Sequence, residues 1–467
     1  MPQSPDDGAS VSEPARTETG VGAPASERVG GSAGAEPPGP RLIEHYFRHE
    51  YGRLVGTLAR AFGVHRLASI EDAVQSALVT ALTSWGLSGV PREPGAWLLQ
   101  VARNRLLDDL RREKTAERVL TRDTAIEEHA TSDAAPSFVD EISDNLLRML
   151  FVCSDEALPR ESQIVLALKV LCGFGTREIA LRLMTTEANV HKRLARGRER
   201  LAERVESAAG LDTPPADALA RRLDSVLQTI YLMFTSGYSS TQADQLVRRE
   251  LCEEALRLGH LLVKHPVGDH PATWALLALM SMQAARLTTR VDSQGALLLL
   301  EEQDRSLWDR SLIQQGLTYL NRSATGDEFT RYHAEAAVLA EHCRAPSFAE
   351  TRWNEIASLY ELLEGLSPSP IHTLNRAIAV AEGHGPDAGL AILRELSPPA
   401  WLLKYYLWDA TVGELERRAG NFQRAEAALT RALESAPTDA ERALIRRRLD
   451  AARRAIGPSD AVPRLPS

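Results

Sequence analysis

The 467-residue chain is 44% hydrophobic and 25% charged, with 54 basic against 63 acidic side chains and a formal net charge of −9. This is the composition of a soluble chain with room for two or three domains, and its acidic balance excludes a protein that coats nucleic acid uniformly. No apolar run approaches the ~20 residues of a bilayer span, and the N-terminus has neither the basic start nor the apolar stretch of a signal peptide, so a cytoplasmic protein with no membrane contact is expected.

Residues 1–40 are built from Gly, Ala, Pro, Ser and Glu, which offer too little apolar burial to offset ordering, and predict a disordered tail. Residues 41–114 turn helical in spacing: Tyr46, Leu54, Leu58 and Ala61, then Ile70, Ala73, Val74, Ala77, Leu78 and Leu82, then Trp97, Leu98, Val101, Leu106 and Leu110. Residues 115–141 are polar, with Glu117, Asp123, Glu127, Glu128, Asp133 and Asp140 outnumbering their cations, and predict an acidic linker. Residues 142–206 form a second helical unit that ends in a basic helix, and residues 207–220 form a Gly- and Pro-containing linker. Residues 221–456 are nearly all helix and residues 457–467 a second disordered tail, so the predicted fold class is all-α.

Counting from Tyr406, the residues Gly413, Phe422, Ala425, Leu429, Ala432 and Pro437 fall at positions 8, 17, 20, 24, 27 and 32 of a 34-residue unit. This is the tetratricopeptide (TPR) spacing, in which small residues let paired helices approach closely. Asp409 and Glu416 stand where that pattern prefers large apolar residues, so the repeats are degenerate; a generic helical bundle is the alternative. Cys153, Cys172, Cys252 and Cys343 lie far apart with no CxxC pair, which suggests reduced thiols and neither a disulfide framework nor a cysteine zinc site. Neither a metal nor a cofactor is expected.

Two segments carry chemistry. In residues 175–204 Ile179, Ala180 and Leu183 form an apolar stripe, Met184, Thr185 and Thr186 break it, and Val190, Leu194 and Leu201 resume it, the pattern of a helix-turn-helix. Its second helix carries His191, Lys192, Arg193, Arg196, Arg198, Arg200 and Arg204, and suits either a DNA major groove or a solvated surface. Residues 94–112 follow a Gly- and Pro-containing loop and place Arg103, Arg105, Arg111 and Arg112 beside Asn104 and Asp108. The Asn104 amide can read the edge of an unstacked base or bond within its own helix, and Trp97 is assigned to the core ahead of a stacking role.

Residues 69–78 (SIEDAVQSAL) with 96–104 (AWLLQVARN), and residues 158–168 (LPRESQIVLAL) with 178–180 (EIA) and 190–196 (VHKRLAR), resemble regions 2 and 4 of extracytoplasmic-function (ECF) sigma factors, promoter-recognition subunits of bacterial RNA polymerase in the sigma-70 family. The extension, including residues 229–238, resembles the subgroup with a long C-terminal TPR-like domain. The resemblance implies that Asp72, Val74, Gln75 and Leu78 grip the coiled-coil of the polymerase β′ subunit. It implies that Asn104 receives a flipped base of the −10 single strand, with residues 86–93 helping, while Arg103, Arg105, Arg111 and Arg112 hold phosphates, Asp108 lying in the same row. His191, Lys192 and Arg196 would face the −35 duplex, with Arg193 and Arg198 on its backbone; His191 and Lys192 depart from the Arg and Ser commoner there. The linker would thread the polymerase cleft. The implied partners are core RNA polymerase, through the β′ coiled-coil and the β flap, promoter DNA, and a possible regulatory protein at the C-terminal domain. Cys153 stands where relatives carry more Cys and His, and without those neighbours it reads as a core thiol.

No phosphate loop, GxSxG elbow or HExxH run competes, and Asp108 and Asp109 lie about 100° apart on a helix, too far round to act as an acid and base pair. Enzyme activity is therefore not expected. A TPR-linked helix-turn-helix regulator that binds duplex DNA without polymerase is the alternative reading, and a peptide-binding scaffold is a second.

Overall fold

The computed structural model describes residues 50–120, 144–207, 216–238, 248–292 and 296–456. The two expected tails, Tyr46, and most of the expected acidic linker lie outside these residues. The described chain is all-α, with eighteen α-helices and no strand; a single antiparallel bridge joins Val291 to Leu297. Among the described residues no helix is long and apolar enough to cross a membrane.

The first unit is α1 (Tyr51–Phe62), α2 (Leu67–Ser88) and α3 (Pro94–Leu120). Helix α2 buries Ile70, Ala73, Val74, Ala77, Leu78, Ala81 and Trp85 at helical spacing and stops at Gly89, whose φ of +82° is open to glycine without strain. Pro94 opens α3, where its fixed φ and missing N–H are tolerated. Leu98, Ala102 and Leu106 of α3 are fully buried against α2. Helix α3 runs on to Leu120, past residue 114 where a linker is expected: no Gly or Pro interrupts it, and Asp108–Arg111 and Asp109–Arg112 pairs support its exposed face at 3.1 and 3.4 Å.

The second unit is α4 (Asn145–Cys153), α5 (Arg160–Val170), α6 (Thr176–Arg182) and α7 (Glu187–Ser207). The Asp144 carboxylate caps α4 by accepting from the Leu147 amide at 2.9 Å. Helix α4 is buried almost all round, Cys153 included, because α1 covers one side and α8 (Ala216–Tyr238) another. Helix α8 begins inside the expected 207–220 linker.

The remaining helices are α9 (Arg249–Leu262), α10 (Pro271–Ala284), α11 (Arg310–Ser323), α12 (Arg331–Arg344), α13 (Trp353–Leu366), α14 (Pro370–His384), α15 (Pro386–Glu395), α16 (Tyr406–Arg418), α17 (Phe422–Ser435) and α18 (Asp439–Ile456). Consecutive helices pack pairwise. A Cβ at Gly413 would lie 2.7 Å from Leu429 Cγ, so only glycine lets α16 and α17 approach this closely. Asp409 and Glu416, apolar positions in the TPR spacing, are buried here because Arg431 (2.6 Å) and the Asn421 amide (2.7 Å) satisfy them.

One apolar core runs from Tyr51 to Cys343, so the first unit, the helix-turn-helix unit and the helices up to α12 share it. The first two units touch closely. A Cβ at Gly52 would fall 2.0 Å from the Leu171 carbonyl oxygen, and one at Gly56 3.0 Å from that of Asn145.

Candidate nucleic-acid interface

Helix α6, a turn and α7 form the predicted helix-turn-helix. Ile179, Ala180, Val190, Leu194 and Leu201 are buried, as the stripe requires. The turn is sharp because Met184 takes φ +50°, and the Thr185 amide closes it on the Ala180 carbonyl at 2.9 Å. Thr186 Oγ1 accepts from the Asn189 amide at 3.3 Å and starts α7. His191, Lys192 and Arg196 share the exposed face of α7, and Arg193 is half-buried.

Arg198, expected on the DNA backbone, is turned inward instead. Its Nη2 meets Glu71 Oε2 of α2 at 2.6 Å, and Glu71 is only 2% exposed. The cause is local: Glu71 sits on the core side of α2, where Tyr51 Oη also donates to it at 3.4 Å, and a buried carboxylate needs a counter-charge. Burial pushes the Glu71 carboxyl above its usual range, with Arg198 pulling it back down.

On α3, Arg103, Asn104, Arg105, Asp108, Arg111 and Arg112 all lie on the exposed face, so the row read from the sequence is brought together. Gln100 Nε2 donates to Asn104 Oδ1 at 3.0 Å, the local bond that was the alternative to base reading. Trp97 is half-buried and packs on Trp85 with ring centroids 5.6 Å apart. At the end of α2 and in the loop that follows, Leu87 and Val90 are exposed apolar residues.

The four polymerase-facing candidates on α2 divide. Asp72 and Gln75 are exposed, whereas Val74 and Leu78 are 0% and 4% exposed and belong to the core, because α1 and α3 cover that side. The apolar residues that share the outer face are Val79 and Leu82, 61% and 48% exposed. Val79 is not among the residues expected here, and Leu82 is grouped by helical spacing with Ile70, Ala73, Val74, Ala77 and Leu78; the spacing 72, 75, 79, 82 is the signal that marks one helical stripe.

The helix-turn-helix unit is gripped from the other side. Arg248 pairs with Glu178 and lies 5.2 Å over the Phe174 ring; Arg257 meets Asp144 at 2.8 Å; Arg222 pairs with Asp155; Arg160 meets Asp224 at 2.5 Å. Arg53 of α1 meets Glu254 of α9 at 3.1 Å, so the C-terminal helices hold both units. Burial pushes the Cys153 thiol well up, as for a core thiol, and no group of three His, Cys, Asp or Glu among the described residues is placed to hold a metal ion.

The sigma-70 region 2 family matches residues 47–116, the sigma-70 region 4 family residues 156–201, and a family of unknown function (DUF6596) residues 222–324. An uncharacterized protein of Rhizobium meliloti (strain 1021) is 38% identical over 407 residues, which cover 85% of this chain and 92% of that relative. No solved structure matches the chain.

Proposed function

Because the chain belongs to the sigma-70 family, with region 2 in α1 to α3 and region 4 in α5 to α7, we propose that it acts as an ECF-type sigma factor that both recognises and opens promoters, and that its C-terminal TPR-like helices regulate it. Sigma-70 family members are transcription initiation factors; they bind core RNA polymerase and promoter DNA, and polymerase supplies the catalysis. The observation that carries the finer reading is the row Arg103, Asn104, Arg105, Arg111 and Arg112 held on the outer face of α3. An amide among guanidiniums fits capture of an unstacked −10 base between held phosphates. A regulator that binds only duplex DNA would leave this row without a use. His191, Lys192 and Arg196 then meet the −35 duplex, and the stripe of Asp72, Gln75, Val79 and Leu82 meets the β′ coiled-coil, with apolar contact framed by polar pairing.

The C-terminal helices act by holding the two DNA-binding regions against each other. Arg248 ties the approach to α9 to region 4 and Arg257 ties α9 to the Asp144 cap of α4, just ahead of region 4, while Arg53 ties α9 to region 2. This favours an inhibitory sign, released when polymerase or a regulatory protein competes for the same faces.

Run-off transcription by core polymerase from the DNA upstream of the protein's own coding region tests the reading with the full-length chain. Specific transcripts are expected, and Asn104→Ala is expected to lose open-complex formation, read by permanganate reactivity, while keeping core binding. A chain that neither transcribes nor binds core polymerase, yet footprints duplex DNA alone, would replace this reading with the helix-turn-helix regulator.

A further inference from the structure

Helices α8, α10, α12, α13 and α14 enclose a cavity of about 240 Å³. A cavity of ~150 Å³ takes a benzene ring, so this one has room for a ring with a short side chain. Its wall combines the rings of Tyr231 and Phe234 from α8 with Leu, Val and Ile side chains and a small number of polar groups. Helix α8 is also the helix on which Arg222 pairs with Asp155 to grip the helix-turn-helix unit.

One ionisable acid lines this cavity and no cation does. Glu335 stands on α12 among the buried residues Ala334, Ala336 and Val338, and neither Lys nor Arg is in the wall. Burial holds the His372 imidazole of that wall below its ordinary value, so it is neutral at physiological pH, with Nδ1 bonded to the Ser367 carbonyl at 2.8 Å. Tyr231 Oη donates to Glu335 Oε2, and among the described residues the carboxylate forms no ion pair. Arg331, one turn back on α12, donates to Tyr332 Oη at 3.2 Å and lies over the Tyr231 and Tyr332 rings at 5.1 and 4.9 Å instead. Burial pushes the Glu335 carboxyl up, and the Tyr231 hydroxyl and the more distant Arg331 pull it only part of the way back. Elsewhere the fold gives its buried carboxylates a cation: Glu71 has Arg198, Asp409 has Arg431 and, on α12 itself, Glu341 has Arg352 at 2.6 Å. Three neutral side chains of the same wall, Gln283 of α10, Tyr360 of α13 and Asn375 of α14, make no side-chain hydrogen bond among the described residues. Water can satisfy such neutral groups, but it cannot supply the positive charge that a carboxylate held away from bulk solvent lacks.

We propose that this cavity binds a small primary amine as its ammonium ion, the charge against Glu335, its remaining N–H groups shared among Gln283, Tyr360 and Asn375, and its carbon body laid against Tyr231 and Phe234. An ammonium has three donors and no acceptor, which matches a carboxylate set among amide and hydroxyl oxygens. The site does not depend on the promoter reading. It gives the C-terminal domain a small-molecule input on α8, the helix that also holds the helix-turn-helix unit.

The test uses the full-length protein, calorimetric titration and three probes built on one ring: phenethylamine, phenethyl alcohol and phenylacetate. The amine is expected to bind saturably at one per chain and about tenfold more tightly than the alcohol, the scale of a charge-assisted contact, with phenylacetate the weakest of the three. Glu335→Gln keeps an acceptor for the Tyr231 hydroxyl. It is expected to abolish the preference for amine over alcohol and to raise the melting temperature of the free protein by removing an uncompensated charge. Equal affinity of amine and alcohol for the unaltered protein, or no saturable binding of the amine, overturns the proposal whether or not the variant folds. So does a preference for the amine that survives Glu335→Gln, or tighter binding of phenylacetate than of the amine.

Discussion

Arg198 carries two opposed demands. In the described arrangement it neutralises Glu71 at 2.6 Å, and in a promoter complex it would be free to meet a phosphate on the edge of the −35 groove. Removing it exposes the first demand. Arg198→Ala leaves a carboxylate that is 2% exposed without its counter-charge, a loss of ~3–5 kcal/mol for a fully buried pair. Because 36% of the Arg198 side chain reaches water, solvent screening brings the expected cost to about 2 kcal/mol. The pH dependence has a definite sign. Burial already holds the Glu71 carboxyl above its usual range, and losing Arg198 raises it further. A group whose folded pKa is raised contributes stability that is fully present below its unfolded pKa and is lost as pH rises through the folded one. The deficit of Arg198→Ala in urea unfolding should therefore shrink from about pH 7 to about pH 5. A deficit that grows on acidification would show that Glu71 is not the group responsible.

Helix α2 presents two faces whose residue types overlap, and substitutions on them should separate. Leu78→Ala removes a 4% exposed side chain and is expected to cost about 2–5 kcal/mol of stability. Val79→Asp and Leu82→Asp alter side chains that are 61% and 48% exposed, so the melting temperature should hold while affinity for core polymerase, read by anisotropy, falls at least about tenfold. Loss of stability without loss of polymerase affinity would remove this stripe from the interface. The same helix shows what could be read in advance. The all-α fold, the helix-turn-helix and the cationic row of α3 were legible because each rests on spacing within one helix. Val74, Leu78, Val79 and Leu82 could not be sorted by type, since all four are apolar and only the packing of α1 and α3 decides which side is covered. The extension of α3 to Leu120 was hidden because its last turns are polar, and polar helix and polar linker look alike in composition. Asp409 and Glu416 read as flaws in a repeat because their partners, Arg431 and Asn421, become visible only once the helices are paired.

The contact between Arg198 and Glu71 spans 127 residues of sequence, and it sets the reach of the whole chain. Promoter elements at −10 and −35 are about 25 base pairs apart, roughly 85 Å along a duplex at ~3.4 Å per step. From His191 to Arg198 is ~10 Å of helix, the Arg198–Glu71 pair spans roughly 10 Å, from Glu71 to the end of α2 is ~26 Å, α3 packs on α2 at ~10 Å and runs ~15 Å from Pro94 to Asn104, so the path from His191 to Asn104 reaches roughly 70 Å even laid end to end. If His191 and Asn104 take the proposed roles, the described arrangement falls short of both elements on a straight duplex, and region 4 is expected to leave region 2 when a promoter is engaged. That separation breaks the Arg198–Glu71 pair and the close approach at Gly52, and it strains the ties through Arg248, Arg257 and Arg53. The four native thiols are buried, so cysteines introduced at the exposed positions Ser88 and Glu199 can carry a fluorescent donor and acceptor. Transfer between them should be high in the free chain and fall sharply on addition of core polymerase and promoter DNA. Arg198→Ala combined with Arg248→Ala should lower it part of the way without polymerase. Unchanged transfer in a complex that yields specific transcripts would mean that regions 2 and 4 never separate, and the inhibitory role given to the C-terminal helices would fall with it.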